Sequence, residues 1–519
     1  MGITRRNFIA RIGRVGGLGA AYTMMQSLGL LPIPASKAST IQLPGDFGSD
    51  KSVLILGAGI AGMVAAWELR RVGFKCTVLE ARGRSGGRNW TIRKGTRVEM
   101  TDGSTQECTF EDGHYFNAGP ARLPSQHLTI LRYCRELGVP LEVEVNSSRS
   151  SLLQSDTLNG GKAIEQRQMV NDTRGHVSEL LAKAVSRNAL DAELTRDDKE
   201  RMLEFLRKYG DLSPDYLYKG SQRSGFKVLP GAGDQVGIPR DPLDMHALLD
   251  ANLWDGMLFE DMFDMQATMF QPVGGMDRIA AAFEKGLGDC IRFNAPVQQI
   301  RKTATGVRIA YRNMDAGALE AIDANYCICA LPLSILKTLD TDLSPDLKQA
   351  IASVSYDSAY KIAWESRRFW EQDYSIYGGI SFPKQLVGVV WYPSAELFSQ
   401  TGVVIAGYGI ENRSEFGNFD RAAKFEASRQ AIEHLHPGYS KELTKPLYVS
   451  WGQIPYNLGS WASHRYDPSV YNRLLEPDGP IYLAGDHVSH VVAWQEGAAL
   501  SAHRAIMQIA KLSGRSATV

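Results

Sequence analysis

Val53-Leu54-Ile55-Leu56-Gly57-Ala58-Gly59-Ile60-Ala61-Gly62 sets the architecture of this chain. The four apolar residues predict a strand buried on both faces, and the glycines predict a tight turn into a helix. Gly57 allows the turn, Gly59 lets the backbone approach a pyrophosphate, and Gly62 lets the helix pack closely on the strand. The N-terminus of that helix attracts negative charge. The stretch therefore predicts a nucleotide site in an α/β fold.

A second predicted strand, Lys75 to Leu79, ends in Glu80, which follows the last glycine of the turn by 18 residues. An acid at this point can accept hydrogen bonds from both hydroxyls of an adenosine ribose. The next residues are Ala81-Arg82-Gly83-Arg84-Ser85-Gly86-Gly87-Arg88. Arg82, Arg88 and the Gly86-Gly87 backbone can supply donors along the pyrophosphate and the flavin end of FAD. This loop favours FAD over NAD.

Length and composition place the chain among ordinary globular proteins. With 519 residues, two or three interlocked domains are expected. Hydrophobic residues make up 44%, and 57 basic side chains balance 57 acidic ones, which excludes a typical nucleic-acid binder. The six cysteines are scattered and predict neither a disulfide framework nor a metal site, and Cys327 and Cys329 are expected to be small buried residues of one strand.

The N-terminal segment predicts export. Thr4-Arg5-Arg6-Asn7-Phe8-Ile9 precedes an apolar stretch and a run of small residues, which resembles a twin-arginine leader over residues 1–40. A bacterial host would then place the protein in the periplasm or outside the cell, or in the cytoplasm if the leader is not processed. The apolar stretch is too short and interrupted for a permanent membrane span.

Patterns along the chain predict an α/β fold with a Rossmann-like FAD-binding domain, a mixed-sheet substrate domain and a helical insertion. The FAD-binding domain is expected in three parts, and the substrate domain lies between the second and the third. The predicted boundaries are 50–124 for the first FAD part, 125–262 for the mainly helical insertion, 263–330 for the second FAD part, 331–450 for the substrate domain and 451–519 for the third FAD part.

With these motifs in place, residues 51–511 resemble the flavin amine oxidase family, which includes monoamine oxidases, polyamine oxidases and L-amino-acid oxidases. The resemblance implies a monoamine-oxidase-like fold. It also implies that Gly485 and Asp486, in Ile481-Tyr482-Leu483-Ala484-Gly485-Asp486, approach the pyrophosphate and the ribityl chain. Val297, after Ala295-Pro296, would contact the adenine through its backbone. Most relatives carry Glu at the position of Asp486.

Two residues suggest the amino-acid oxidase branch of the family. Arg122, in Gly119-Pro120-Ala121-Arg122, matches an arginine that grips the substrate carboxylate, and Tyr408 matches a tyrosine that helps to bind it. The planar fork of an arginine suits this task because it donates two parallel hydrogen bonds to a carboxylate.

The resemblance assigns the remaining site residues. Lys361 would hold a water near flavin N5, and Trp461 and Trp494 would face each other across the substrate. The carbonyl of Ala493 could accept a hydrogen bond from the substrate amine. Ser460 stands where monoamine oxidases carry the cysteine that binds flavin covalently, which predicts non-covalent FAD.

The implied reaction is oxidation of an L-amino acid by molecular oxygen to a 2-oxo acid, ammonia and hydrogen peroxide. Three alternatives stay open at this point: an amide-forming amino-acid 2-monooxygenase, an amine or polyamine oxidase, and a non-catalytic binding protein on the same scaffold. The general base is not identified, although His246 and His487 are candidates by residue type. Side-chain preference and the oligomeric state, including a homo-oligomer, are also left open.

Overall fold

The computed structural model describes residues 41, 43–187, 190, 193–463 and 467–512. The predicted export leader, residues 1–40, lies outside the described residues. Within the described part, no helix combines the length and the apolar character that a membrane crossing requires.

The described residues form 27 strands. They are β1 (Ser52–Leu56), β2 (Lys75–Leu79), β3 (Thr91–Arg93), β4 (Arg97–Glu99), β5 (Thr105–Glu107), β6 (Tyr115–Asn117), β7 (Leu123–Pro124), β8 (Leu141–Glu144), β9 (Leu152–Gln154), β10 (Ile164–Glu165), β11 (Phe226–Val228), β12 (Ile238–Pro239), β13 (Met269–Pro272), β14 (Ile291–Arg292), β15 (Val297–Thr303), β16 (Gly306–Asn313), β17 (Ala318–Ala324), β18 (Tyr326–Cys329), β19 (Asp340–Thr341), β20 (Tyr356–Asp357), β21 (Ala359–Arg367), β22 (Gly379–Pro383), β23 (Val389–Tyr392), β24 (Thr401–Ile410), β25 (Thr444–Ser450), β26 (Trp461–Ala462) and β27 (Ile481–Leu483).

The described residues also form 13 α-helices. They are α1 (Ile60–Arg71), α2 (Leu128–Glu136), α3 (Gln166–Ser186), α4 (Arg196–Gly210), α5 (Met245–Ala251), α6 (Trp254–Met257), α7 (Asp277–Leu287), α8 (Leu333–Leu336), α9 (Pro345–Ser353), α10 (Phe369–Gln372), α11 (Arg421–Leu435), α12 (Pro468–Leu475) and α13 (Gln495–Leu512).

A five-stranded parallel sheet in the order β14-β2-β1-β18-β27 forms the nucleotide-binding layer. Its side chains alternate between the two faces. Val53 and Ile55 pack with the residues of α1, α7 and α13, whereas Leu54 and Leu56 pack with the core under β15 to β17. The predicted first strand is thus confirmed as buried on both faces, and the predicted bounds of the second strand are those of β2. Cys327 and Cys329 are both fully buried, as predicted.

A seven-stranded mixed sheet in the order β10-β9-β22-β23-β24-β21-β25 carries the other half of the site. Its strands pair antiparallel, except that β9 runs parallel to β22. β21 lies between β24 and β25, and the register sets Lys361 directly opposite Tyr408. The predicted mixed sheet is confirmed.

The predicted helical insertion, residues 125–262, carries α2 to α6 but also contributes strands to other sheets. β8 pairs with β13 and β9 pairs with β22, so both belong to sheets completed far along the chain. Each of the two strands has only three or four residues, and their partners decide which side chains are buried. In β8 the pattern is inverted, because Val143 is 56% exposed and Glu144 is 3% exposed.

Candidate functional site

A cavity of about 420 Å³ runs from the glycine turn after β1 to the face of the mixed sheet. Most of the predicted site residues line it, although they come from segments spread over more than 400 positions. They are Gly57, Gly59, Glu80, Arg82, Gly86, Gly87, Arg88, Arg122, Lys361, Tyr408, Trp461, Gly485, Asp486, Ala493 and Trp494. The lining does not include Gly62, which packs beneath the turn, or Val297, which opens β15 in the core between the sheets.

The glycine turn has the shape that a bound pyrophosphate needs. A Cβ added to Gly59 would meet nothing within 4 Å, so the space beside this backbone belongs to the cavity. A Cβ added to Gly62 would lie 2.0 Å from the carbonyl oxygen of Gly57, which explains why helix and turn can touch only with glycine there. α1 begins directly after Gly59 and directs its N-terminus to this end of the cavity.

Two backbone N–H groups hold the carboxylate of Glu80 in place. One carboxylate oxygen accepts a hydrogen bond from the Ala58 N–H at 2.9 Å, and the other accepts one from the Arg82 N–H at 3.0 Å. Because a carboxylate has about four acceptor positions, it keeps capacity for further donors such as ribose hydroxyls. The Arg82 guanidinium donates to the carbonyl of Pro455 and to the side chain of Asn457.

Arg88 and Asp486 join the first and the last predicted FAD segments. Nη1 of Arg88 lies 3.0 Å from Oδ2 of Asp486, and Nη2 donates to Oδ1. The same carboxylate accepts the Ala493 N–H at 3.0 Å. Burial opposes ionisation of Asp486, but the charge and the hydrogen bonds of Arg88 outweigh it and lower the pKa of Asp486.

Arg122 lies at the opposite end of the cavity, in the loop between β6 and β7, and is 8% exposed. Its guanidinium donates to the side-chain oxygen of Asn146. It also lies over the ring of Trp391, with Cζ 4.6 Å from the ring centroid. Within the described part of the chain no carboxylate forms an ion pair with it, which is unusual because a buried charge is normally paired.

Lys361 projects from β21 into the same end of the cavity and is 4% exposed. Nζ donates to the carbonyl oxygens of Asn117 and Gly119 at 2.7 Å and 2.6 Å. It lies 5.4 Å from the ring centroids of both Trp391 and Tyr408. Burial, with a smaller contribution from the charge of Arg122, lowers the pKa of Lys361 to about 7.

The two predicted tryptophans line the cavity from different elements. Trp461 opens β26, and its Nε1–H donates to the side chain of Asp357 at 2.9 Å. Trp494 precedes α13 and packs edge-on against the ring of His127, with centroids 5.0 Å apart. Ala493, next to it, has a positive φ of 68°, which turns the chain at the cavity wall.

Comparison with known proteins identifies the family. The protein-family model described as flavin containing amine oxidoreductase matches residues 60–510. The chain belongs to this family. It is therefore a flavin enzyme, an amine oxidoreductase that uses FAD.

Relatives with curated names support the same assignment. The chain is 26% identical over 489 residues to a putative L-amino-acid oxidase of Bacillus subtilis, which covers 89% of this chain and 95% of that protein. It is 27% identical over 513 residues to the flavin-dependent L-tryptophan oxidase of Lentzea aerocolonigenes, and the match covers 90% of this chain and 99% of that protein. The solved structure of cyclohexylamine oxidase from Brevibacterium oxydans shares the fold, with a TM-score of 0.60 at 17% identity over 90% of this chain and all of that one.

The residues present fit the flavin that defines this family of oxidoreductases. The open space beside Gly59, the carboxylate of Glu80 and the backbone of Gly86 and Gly87 all line the nucleotide end of the cavity. The pair of Arg88 and Asp486 lies further along the same cavity, towards Trp461 and Trp494. These residues would hold FAD with its nucleotide part beside Gly59 and Glu80 and its flavin part towards Trp461 and Trp494.

Sequence reasoning missed two residues of the site, Trp391 and Glu144. Trp391 lies on β23 beside the strand of Tyr408, and both Arg122 and Lys361 contact its ring. Its position next to β24 was the available signal, but strand order is not visible in a single sequence. Glu144 is buried at the N–H edge of this ring. It was missed because an apolar residue next to an acid predicts a buried Val143 and an exposed Glu144, which is the reverse of what the structure shows.

The histidines proposed as candidate bases differ in position. His487 lines the cavity, and burial lowers its pKa to about 4, so that it is neutral at neutral pH. His246 is exposed on α5 and does not belong to the cavity lining.

Proposed function

We propose that this flavin enzyme is an L-amino-acid oxidase that converts L-amino acids to 2-oxo acids with release of ammonia and hydrogen peroxide. The two relatives named above act on L-amino acids according to their names, and they match this chain over about nine tenths of its length. The observation that carries the proposal is the position of Arg122.

Arg122 supports a substrate with a carboxylate. Its guanidinium is buried at the far end of the cavity, and no acid of the described residues neutralises it by direct contact. Removing a charge from water without a partner is unfavourable by several kcal/mol, so an anionic ligand at this point would stabilise the site. A carboxylate matches the planar fork of arginine in both geometry and charge.

The other site residues position the substrate. Tyr408 lines the cavity beside Arg122, where its hydroxyl can donate to the same carboxylate. Trp461 and Trp494 line the same cavity, with the ring centroid of Trp494 6.0 Å from Cζ of Arg122, so that they would hold the amine and the α-carbon between them and exclude water. The Ala493 carbonyl would accept a hydrogen bond from the amine, and Lys361 would hold a water at the flavin. Flavin chemistry supplies the acceptor for the α-hydrogen and returns the electrons to oxygen. The remaining step, hydrolysis of the imino acid, needs only water.

We further propose that FAD is bound without a covalent link, since Ser460 lacks the thiol used for that link in monoamine oxidases. Its hydroxyl donates to the carbonyl of Asp357 and accepts the Ala359 N–H at 3.0 Å. We also propose that the protein is exported through a twin-arginine leader and that the site residues have the catalytic roles given above.

The test is a peroxide assay of the purified enzyme over the twenty L-amino acids, several D-isomers and simple amines, with the Arg122→Ala and Arg122→Lys variants beside the wild type. Loss of two charge-assisted hydrogen bonds predicts a fall in kcat/KM for L-amino acids of about 100-fold or more in Arg122→Ala. Arg122→Lys keeps the charge but loses the fork, so its activity should lie between the two. Tyr408→Phe should lose about tenfold, because one hydrogen bond is removed.

Two outcomes would contradict the proposal. Activity on amines that does not change in Arg122→Ala would identify an amine or polyamine oxidase. Amide as the main product, measured together with peroxide and 2-oxo acid, would identify an amino-acid 2-monooxygenase. A wild-type control that retains its flavin through purification makes either result interpretable.

A further inference from the structure

Glu144 is a buried acid that the proposed reaction does not use. It ends β8, is 3% exposed, and points inward although its neighbour Val143 points to solvent. One carboxylate oxygen accepts a hydrogen bond from the indole Nε1–H of Trp391 at 3.2 Å. The other oxygen is buried and accepts no hydrogen bond from the described residues. A buried carboxylate with half of its acceptors unused is unfavourable in its ionised form, and protonation relieves that penalty.

Trp391 connects this acid to the substrate end of the cavity. Its Nε1–H binds Glu144, while Arg122 lies over its ring and Lys361 lies 5.4 Å from the ring centroid. Glu144 therefore lies at the N–H edge of the indole over whose face Arg122 lies. Burial lowers the pKa of Arg122, and the charge of Glu144 offsets only part of that decrease. Burial raises the pKa of Glu144 to about 7, although the charge of Arg122 and the hydrogen bond from Trp391 both oppose that rise.

A second cavity, of about 70 Å³, lies on the Glu144 side of Trp391. The titratable and charged groups that line it with Glu144 are His114, Tyr115, Arg368, Tyr392 and Glu396. Arg368 is engaged by Glu371. His114 contacts Glu365. Glu142, on the same strand as Glu144, accepts a hydrogen bond from Gln271. The cavity reaches the surface at Glu396, which is exposed, and has room for water that can carry a proton.

We propose that Glu144 is a positioning residue that balances the charge of Arg122 while no carboxylate is bound, and that it takes up one proton from solvent when the substrate carboxylate pairs with Arg122. This inference rests on the proposed function. The substrate anion and the proton then enter together, and the number of buried charges at this end of the site does not change. Without that proton, two carboxylates would compete for one guanidinium.

The proposal predicts the pH dependence of carboxylate binding. Below about pH 7 Glu144 is already neutral, so Arg122 is free to attract a ligand. Above that pH Glu144 is ionised, and binding must be accompanied by proton uptake, so that affinity falls by up to tenfold per pH unit. Lys361, with a pKa of about 7, would act in the same direction, and a variant of Glu144 separates the two groups.

The test uses the flavin-loaded enzyme and benzoate, a carboxylate that has no amine and does not titrate in the range studied. Its Kd is measured from the flavin absorption spectrum between pH 6 and 9 for wild type, Glu144→Gln and Glu142→Gln. We expect Kd to rise with pH in wild type and in the Glu142→Gln control, and to rise less steeply in Glu144→Gln, where only the contribution of Lys361 remains. Calorimetry in two buffers of different ionisation enthalpy should show uptake of about one proton per benzoate at pH 8 in wild type.

The outcomes distinguish this inference from the proposed function. An unchanged slope in Glu144→Gln, or calorimetry of the wild type that shows no proton uptake, overturns the role of Glu144 while carboxylate binding stands. Failure of benzoate to bind at any pH overturns both. The wild-type calorimetry needs no variant, so the inference remains testable if Glu144→Gln does not fold.

Discussion

The carboxylate of Asp486 accepts hydrogen bonds from both terminal nitrogens of Arg88, which lies 398 residues earlier in the chain. The two residues belong to the first and the last predicted FAD segments, and each was predicted separately as an FAD contact. Their ion pair connects the two segments at the wall of the cavity. Asp486 also accepts the Ala493 N–H, so the pair holds the turn that carries Trp494 as well.

Asp486→Asn should weaken FAD binding. The variant removes the negative charge opposite Arg88, and an unpaired partner of a buried ion pair is destabilising by about 3–5 kcal/mol. We expect the Kd for FAD to rise at least tenfold and the melting temperature to fall, with Asp486→Glu close to wild type because the charge is kept. Flavin fluorescence titration of the apoprotein measures the first quantity. Asp340→Asn, at an exposed ion pair with Arg301, is the control and should leave both unchanged.

Much of the FAD half of the site was predictable because its signals are local. The turn from Gly57 to Gly62, the strand that precedes Glu80 and the loop from Gly86 to Arg88 lie within one stretch of 32 residues. The substrate half was predictable at Arg122, Tyr408 and Lys361 only through the family resemblance. Trp391 and Glu144 were missed because strand order in the mixed sheet and the inverted burial of β8 depend on contacts between distant segments.

Lys361→Met should reduce the pH dependence of stability. The Lys361 pKa is lowered from 10.5 to about 7, so between these values the unfolded chain binds more protons than the folded one, and stability rises with pH. Without the lysine, the slope of the unfolding free energy against pH should fall by up to about 1.4 kcal/mol per unit. Urea unfolding at saturating FAD at pH 7, 8.5 and 10 measures it.

The control for this experiment is Lys445→Met. The hydrogen bonds that Lys445 donates to Glu111 and Glu365 raise its pKa, so its contribution to stability is constant below 10.5 and is lost only above that value. This variant should shift the unfolding free energy by the same amount at all three pH values. A wild-type slope in Lys361→Met would show that the lysine keeps an ordinary pKa in the folded protein.

Acid precipitation should release all of the FAD into the supernatant. Ser460 offers no thiol beside Trp461, and its hydroxyl is already engaged by Asp357 and Ala359. Flavin fluorescence of the supernatant and of the denatured protein on a gel measures the partition. Ser460→Ala should release the flavin equally well. Fluorescence that stays with the denatured chain would show a covalent link elsewhere in the site.

Gly59→Ala and Gly62→Ala should separate cofactor binding from folding. Gly59 has ordinary extended dihedrals, with φ at −75°, and a Cβ there would meet no protein atom within 4 Å. The added methyl group would occupy space that the pyrophosphate needs, so FAD affinity should fall at least tenfold while the melting temperature of the apoprotein stays within about 2 °C of wild type. A Cβ on Gly62 would lie 2.0 Å from the Gly57 carbonyl oxygen, and Gly62→Ala should therefore lower the apoprotein melting temperature by several degrees as well. Differential scanning calorimetry of the apoproteins and FAD titration of each variant measure the two effects. Equal loss of apoprotein stability in both variants would mean that the space beside Gly59 is not a cofactor site but part of the packing of the turn.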